Sequence, residues 1–253
     1  MSERQVYDIL LIAIFAMAII AFIVLFFVAA PYGRYTRRGW GARIGNRLGW
    51  IIMEAPAVVV FALCFALGSR TASVMPIIFL AMWQIHYLRR TLVFPFRMRG
   101  SRRQMTVFVM ALGLAFNVMN GYLNGRYINT FGPVYGTEWL ADPRFIVGAL
   151  LFFAGFAVNL HSDEVLRRLR QPGESGYQIP RGGLFERVSC ANYFGEITEW
   201  CGWAIATWSL PGLAFALWTA ANLLPRARAH HKWYPSQFPD YPQRRRAVIP
   251  FVF

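Results

Sequence analysis

Charge is scarce in this chain, and nearly all of it is of one sign and one kind. Only 15% of its 253 residues are charged, against about 25% in an ordinary soluble domain. Twelve residues are acidic, and Lys232 is the only lysine among the 26 basic ones. Cys64, Cys190 and Cys201 have neither paired nor metal-type spacing, which argues against a disulfide framework or a zinc site. The sequence has no G-x-G-x-x-G and no P-loop, so a bound nucleotide would not be held by either of those devices. No serine or cysteine nucleophile stands with a base. Internal repeats and low-complexity tracts are absent, and the segments between apolar runs are too short to fold alone. The chain therefore reads as one membrane-embedded domain, 1–253.

In place of charge there is apolar surface, 57% of the residues. A bilayer span needs about 20 predominantly apolar residues. Seven stretches approach that length: 9–30, 49–68, 72–94, 104–123, 145–161, 191–209 and 212–225. The first follows a nearly neutral start, Met1 to Asp8, and is longer than a signal-peptide core, so it reads as a retained span. Pro211-Gly212 offers the break that divides 191–225 in two. The net charge of +14 could point to nucleic acid, but its distribution favours a membrane. Alternate loops gather 22 of the basic residues, among them Arg34, Arg37, Arg38, Arg97, Arg99, Arg102, Arg103, Arg170 and Arg244 to Arg246. The other side keeps four: Arg4, Arg70, Arg126 and Arg144. By the positive-inside rule the N-terminus is outside and the C-terminus cytoplasmic. The expected fold is all-α, a polytopic seven-transmembrane-helix bundle with no nucleic-acid partner.

The scarcity of acid makes each carboxylate informative. Glu54 is the single acidic residue between Asp8 and Glu138, and it lies inside the second stretch. An ionisable group at that depth is costly and marks a site unless it is paired structurally. In an apolar pocket it would be protonated and could donate to a substrate oxygen. Tyr87 and Arg90, three residues apart, share a helix face; a buried tyrosine can polarise a carbonyl, although taken alone Tyr87 reads more readily as an interfacial anchor. Taken by itself, His86 reads as a packed histidine. Asn159 to Phe185 mixes amides, carboxylates, arginines and Tyr177 with helix breakers, a composition suited to a polar anionic ligand or to headgroups. Asn192, Glu196 and Glu199 form a polar stripe whose partners the basic tail could supply. Adjacent His230 and His231 would diverge on a helix, a poor arrangement for a shared metal.

These segments resemble a known family. Asn159-Leu160-His161-Ser162-Asp163, Leu169 to Glu174, Ile179 to Phe185, Asn192 to Glu196 and the closing Ile249-Pro250-Phe251 look like the steroid 5-alpha-reductases. Thinner support comes from Tyr32-Gly33, Glu54 and His86-Tyr87 with Arg90-Thr91. The resemblance implies a seven-helix fold that holds NADPH from the cytoplasmic side. It also implies hydride transfer to the beta carbon of a 3-oxo-4-ene steroid. By the same resemblance Glu54 and Tyr87 would bind and polarise the 3-oxo group. Tyr32, Arg90, Asn159, Asp163, Arg170, Tyr177, Asn192, Glu196, Arg226, His230 and Tyr234 would surround the cofactor, with Arg99 or Arg102 as additions and no metal. It points to a bacterial homologue of the animal enzymes, acting as a monomer on a lipid-borne enone in the inner membrane. One departure is Gln178, which stands where the animal enzymes carry arginine. A phosphate contact is lost there or supplied by Arg181, which bears on the preference for NADPH over NADH. Competing readings are a membrane reductase of polyprenol or enoyl lipids, an isoprenylcysteine-type methyltransferase, and a non-enzymatic lipid-binding protein.

Overall fold

The computed structural model describes residues 1–28, 41–98, 104–169 and 177–253, and these are overwhelmingly helical. The first helix, α1 (Glu3–Phe27), opens on a capping box in which Ser2 and Gln5 satisfy each other's backbone N–H groups. Its buried residues, Tyr7, Ile14 and Ala18, make one narrow stripe. The remaining surface is exposed isoleucine, valine and phenylalanine, as expected of a helix that faces lipid.

Next come α2 (Asn46–Ala66) and α3 (Val74–Leu88). A π-wound turn, Arg89–Val93, continues α3 into the short α4 (Phe94–Arg97). The rest of the bundle is α5 (Val107–Arg126), α6 (Pro143–Arg168), α7 (Ala191–Thr207) and α8 (Leu210–Gln237). Among the described residues, four segments are long and apolar enough to cross a membrane: Glu3–Phe27, Asn46–Ala66, Val107–Phe131 and Pro143–Arg168. The other three apolar stretches coincide with α3 and its π-turn, with the 17-residue α7, and with the first half of α8.

Several boundaries differ from expectation. Residues 104–106 are not helical; they form β2 (Gln104–Thr106), which pairs antiparallel with β1 (Arg43–Gly45) and ties the start of α2 to the start of α5. The break within 191–225 falls just before Pro211. Trp208 adopts φ 43°, and the Ser209 hydroxyl caps α8 by accepting from the Gly212 N–H at 3.0 Å. Beyond residue 161, α6 runs to Arg168 because Glu164 bonds Arg167 and Arg168 one turn on. Past 225, α8 continues to Gln237, and Arg226, His230 and Tyr234 thereby fall on one face at four-residue spacing.

Apolar attraction between helices is weak in lipid, so close backbone packing has to hold them. The α6–α7 pair shows how. Gly148 and Gly155 on α6 face Gly202 and Gly195 on α7, and a Cβ on any of the four would meet the other helix's backbone. That contact brings Asn159 against the start of α7. Aromatic rings fill the centre: Phe61 stacks on Trp83 at 4.7 Å, Trp83 lies 5.2 Å from Trp203, and Trp200 lies 4.2 Å from Phe215. Such pairs add about 0.5–1.5 kcal/mol each beyond their area.

Candidate active site

Two polar centres are built around this aromatic core. The inner one begins at Glu54, only 7% exposed although it lies mid-helix in α2. From α5, the Asn117 amide donates to the Glu54 carboxyl at 3.3 Å and to the Met53 carbonyl at 2.7 Å. The Arg90 guanidinium stands 3.7 Å from the other carboxyl oxygen, held over the rings of Trp50 and Phe94. Glu196 on α7 is also within electrostatic reach of Arg90 and Glu54.

One turn along α5, Asn120 donates to the Tyr87 hydroxyl at 3.4 Å. Tyr87 is 4% exposed and packs among Trp83, His86 and Trp200. Behind it His86 Nδ1 meets the Glu199 carboxyl at 2.7 Å. Glu199 is thus partnered by α3 rather than by the basic tail.

The outer centre is made of charges. Arg89 donates to Asn159 at 3.0 Å and to Asp163 at 2.7 Å, and Asn159 in turn donates to the Asn192 carbonyl at 3.0 Å. Adjacent on the helix, Arg89 and Arg90 point to different faces. One arginine reaches α6 while its neighbour turns to α2. Further out, Arg97, Arg167 and Arg168 all pair with Glu164.

The far half of α8 closes this end. His230 Nε2 lies 3.3 Å from the Tyr193 hydroxyl, and Arg226 stands over the Tyr193 ring. Tyr177 packs edge-on against Trp233, and Tyr234 stacks on Tyr241. His231 points the other way, to the Ser189 hydroxyl at 2.6 Å, which also meets Tyr241 at 2.6 Å. Burial, reinforced by Arg246, holds the His231 imidazole below its ordinary value. The two histidines diverge as their adjacency requires, and no metal-holding cluster occurs among the described residues.

A cavity of about 1410 Å³ joins the two kinds of surface. One part is apolar, walled by Met17, Ile20 and Val24 of α1, Leu112, Phe116 and Met119 of α5, and Trp218 of α8. The other part is polar, walled by Arg89, Arg97, Asp163, Arg167, Tyr177, Asn192, Asn222 and Arg226. Sites for one drug-sized ligand run to about 300–1,000 Å³, so the space exceeds what a single small molecule needs. Trp50 and Met53, beside Glu54 on α2, form part of its wall, as does Phe116 beside Asn117.

Asp163, Tyr177, Asn192 and Arg226 therefore line the cavity, and Asn159 supports two of its walls. Glu54 and Tyr87 are buried one layer deeper, with Arg90 beside Glu54 and the half-buried Glu196 within electrostatic reach. His230 contacts the Tyr193 hydroxyl beside the cavity, whereas Tyr234 is buried in the tail clamp. Tyr32, Arg99, Arg102 and Arg170 lie outside the described residues. Sequence reasoning missed Arg89 and the asparagine row Asn117, Asn120 and Asn124. The row did carry a signal, since three carboxamides at helical spacing inside an apolar span need partners.

Comparison with known proteins agrees along the whole chain. The family model for 3-oxo-5-alpha-steroid 4-dehydrogenase matches residues 103–253. The 3-oxo-5-alpha-steroid 4-dehydrogenase 1 of Bos taurus is 44% identical over 256 residues, covering 100% of this chain and 99% of the bovine protein. Its namesake in Homo sapiens is 44% identical, with 88% of this chain and 86% of the human protein covered. A steroid 5-alpha-reductase of Gossypium hirsutum is 41% identical, with coverage of 100% and 99%. With animal and plant relatives matching at this length, the chain belongs to the 3-oxo-5-alpha-steroid 4-dehydrogenase, or steroid 5-alpha-reductase, family of oxidoreductases that act on a CH–CH bond.

Proposed function

We propose that the protein spans the membrane seven times, with its N-terminus outside, and reduces the 4,5 double bond of a 3-oxo-4-ene steroid with NADPH. The observation that carries this reading is one cavity lined by both apolar and charged side chains. Its apolar part suits a sterol arriving from lipid. Its polar part offers arginines for phosphate and a carboxylate for ribose hydroxyls, with amides and a tyrosine beside them. NADPH, when bound, supplies the hydride to the beta carbon of the enone. The donor set fits such a cofactor: Arg226, Asn192, Tyr177 and Asp163 face the cavity, and Arg89 and Asn159 hold Asp163 and the start of α7 in place.

Hydride addition to an enone builds negative charge on the carbonyl oxygen. Two donors aimed at that oxygen in a dry site lower the barrier. Tyr87 is one. Glu54, as the neutral acid, is the other. Asn117 holds one Glu54 oxygen, and Arg90 is kept 3.7 Å from the other by its stacking on Trp50 and Phe94, beyond hydrogen-bonding range. The aromatic packing around Trp83, Trp200 and Trp203 keeps water out.

The test is direct. Purified protein given NADPH with testosterone or progesterone is expected to yield a product heavier by two hydrogens in mass spectrometry. An unchanged steroid, with methyl transfer from S-adenosylmethionine in a parallel assay, would overturn the reading.

A further inference from the structure

Tyr87 can serve as a donor only if its proton is not already committed inside the protein. The residues behind it decide this. Trp203 donates from Nε1 to Asn124 Oδ1 at 2.9 Å. Asn124 Nδ2 donates to Asn120 Oδ1 at 2.9 Å, and Asn120 Nδ2 donates to the Tyr87 hydroxyl at 3.4 Å. All four side chains are buried: Trp203, Asn120, Asn124 and Tyr87 are 0%, 0%, 1% and 4% exposed.

Two carboxamides in a row can run in either direction with their mutual bond intact. Reversed, Asn120 would present its oxygen to Tyr87 and accept the phenolic proton. The structure closes off that alternative at the far end. An indole N–H is a donor and nothing else, so a reversed Asn124 would set its NH2 against the Trp203 N–H. Asn124 Nδ2 also donates to the Asn120 backbone carbonyl at 3.1 Å, a second pin on the same orientation. A lost hydrogen bond to a buried group costs about 1–3 kcal/mol, and reversal loses both pins at once. Shape alone would not require this arrangement, because leucines would fill the same space without fixing a direction.

We infer that Trp203, Asn124 and Asn120 are positioning residues that force Tyr87 to keep its proton for the ligand, and so select a ligand whose oxygen accepts. This deepens the reading above and rests on it. The indole sets a polarity that reaches the hydroxyl through two amides, with no charged group in the row. Among the described residues the Asn120 amide nitrogen donates to the Tyr87 hydroxyl at this end, so its influence on turnover passes through that hydroxyl.

A double-mutant cycle tests this, with kcat on a 3-oxo-4-ene steroid and the NADPH dissociation constant measured for each variant. Tyr87→Phe removes one donor to a developing oxyanion, a loss of about 100-fold or more in kcat. Asn120→Asp keeps the shape but presents only acceptors, so it should take the phenolic proton and lose a similar factor. Asn120→Leu should lose about 10-fold, since the hydroxyl is then free to rotate. Combined with Tyr87→Phe, either change should cost no more than about a further twofold, because nothing remains for the row to orient. NADPH affinity should hold throughout, which also reports an intact fold. Full kcat in Asn120→Asp, or losses that multiply in the double variants, would overturn the relay while leaving Tyr87 as a donor. If Tyr87→Phe itself keeps wild-type kcat, the proposed function falls and the relay with it. Should the Asn120 variants fail to bind NADPH, Asn124→Leu is read in their place: a fall in kcat that vanishes in the Tyr87→Phe background supports the relay, and unchanged kcat overturns it.

Discussion

Tyr87 in the inner centre and Asp163 in the outer one are held by opposite means. Around Tyr87 the partners are neutral carboxamides and an indole, each bond of fixed direction and each atom buried. Around Asp163 they are ion pairs open at one side, Arg89 with Asp163 and Arg97, Arg167 and Arg168 with Glu164. The difference follows from the surroundings. Deep in the bundle an unpaired charge costs heavily, so Tyr87 is approached by dipoles and the carboxyls of Glu54 and Glu199 each stand beside a partner. At the mouth, water and the ligand's own phosphates can compensate charge, so arginines are tolerable. Under the proposed function, carbonyl polarisation falls to Tyr87 and Glu54 in the inner centre, and cofactor capture to the ion pairs of the outer one.

Each side of this contrast can be broken separately. Glu54→Gln should have the largest effect, a fall in kcat of about 100-fold or more, with NADPH affinity close to wild type. Equal turnover would reduce Glu54 to a structural carboxylate paired with Asn117 and Arg90. Arg89→Ala should come next and act in the opposite way. It leaves Asp163 at the mouth without the partner that orients it, and should weaken NADPH binding by about tenfold, roughly 1.4 kcal/mol. Turnover at saturating NADPH should change far less. An unaltered dissociation constant would remove Arg89 from the cofactor's surroundings.

The smallest effect concerns the tail clamp. His231 is held neutral by burial and by Arg246, against Ser189 and Tyr241. Below about pH 6.5 the unfolded chain takes up a proton that the folded chain refuses, so stability should fall as pH drops through that value and be flat above it. Thermal melting of detergent-solubilised protein from pH 8 to 5.5 should show this slope, and His231→Gln should flatten it. A slope that survives the substitution would assign the pH response elsewhere.

Much of the inner centre could be read from the sequence because rarity marks it. Glu54 stands out as the one acid in a long apolar region, and Tyr87 lies a helical turn before a pair of arginines. The helix break near Pro211 was equally visible, displaced by only a few residues. What could not be read depends on partners distant in sequence. Three-residue strands paired across 60 positions, as in β1 and β2, leave almost no local pattern. Arg89 and Arg90 point apart as adjacent helical residues must, but which neighbouring helix each one reaches is settled by packing and not by periodicity. The glycines at 148, 155, 195 and 202 were readable in principle, since small residues at heptad spacing mark close helix contact. Their effect, bringing Asn159 to the Asn192 carbonyl, requires knowing which two helices meet.

One titration tests the division of labour most directly: the NADPH dissociation constants of Glu54→Gln and Arg89→Ala measured side by side with the wild-type protein. The expected result is near wild-type affinity in the first and a loss of about tenfold in the second. Equal losses in both, or weakened binding in Glu54→Gln alone, would contradict it.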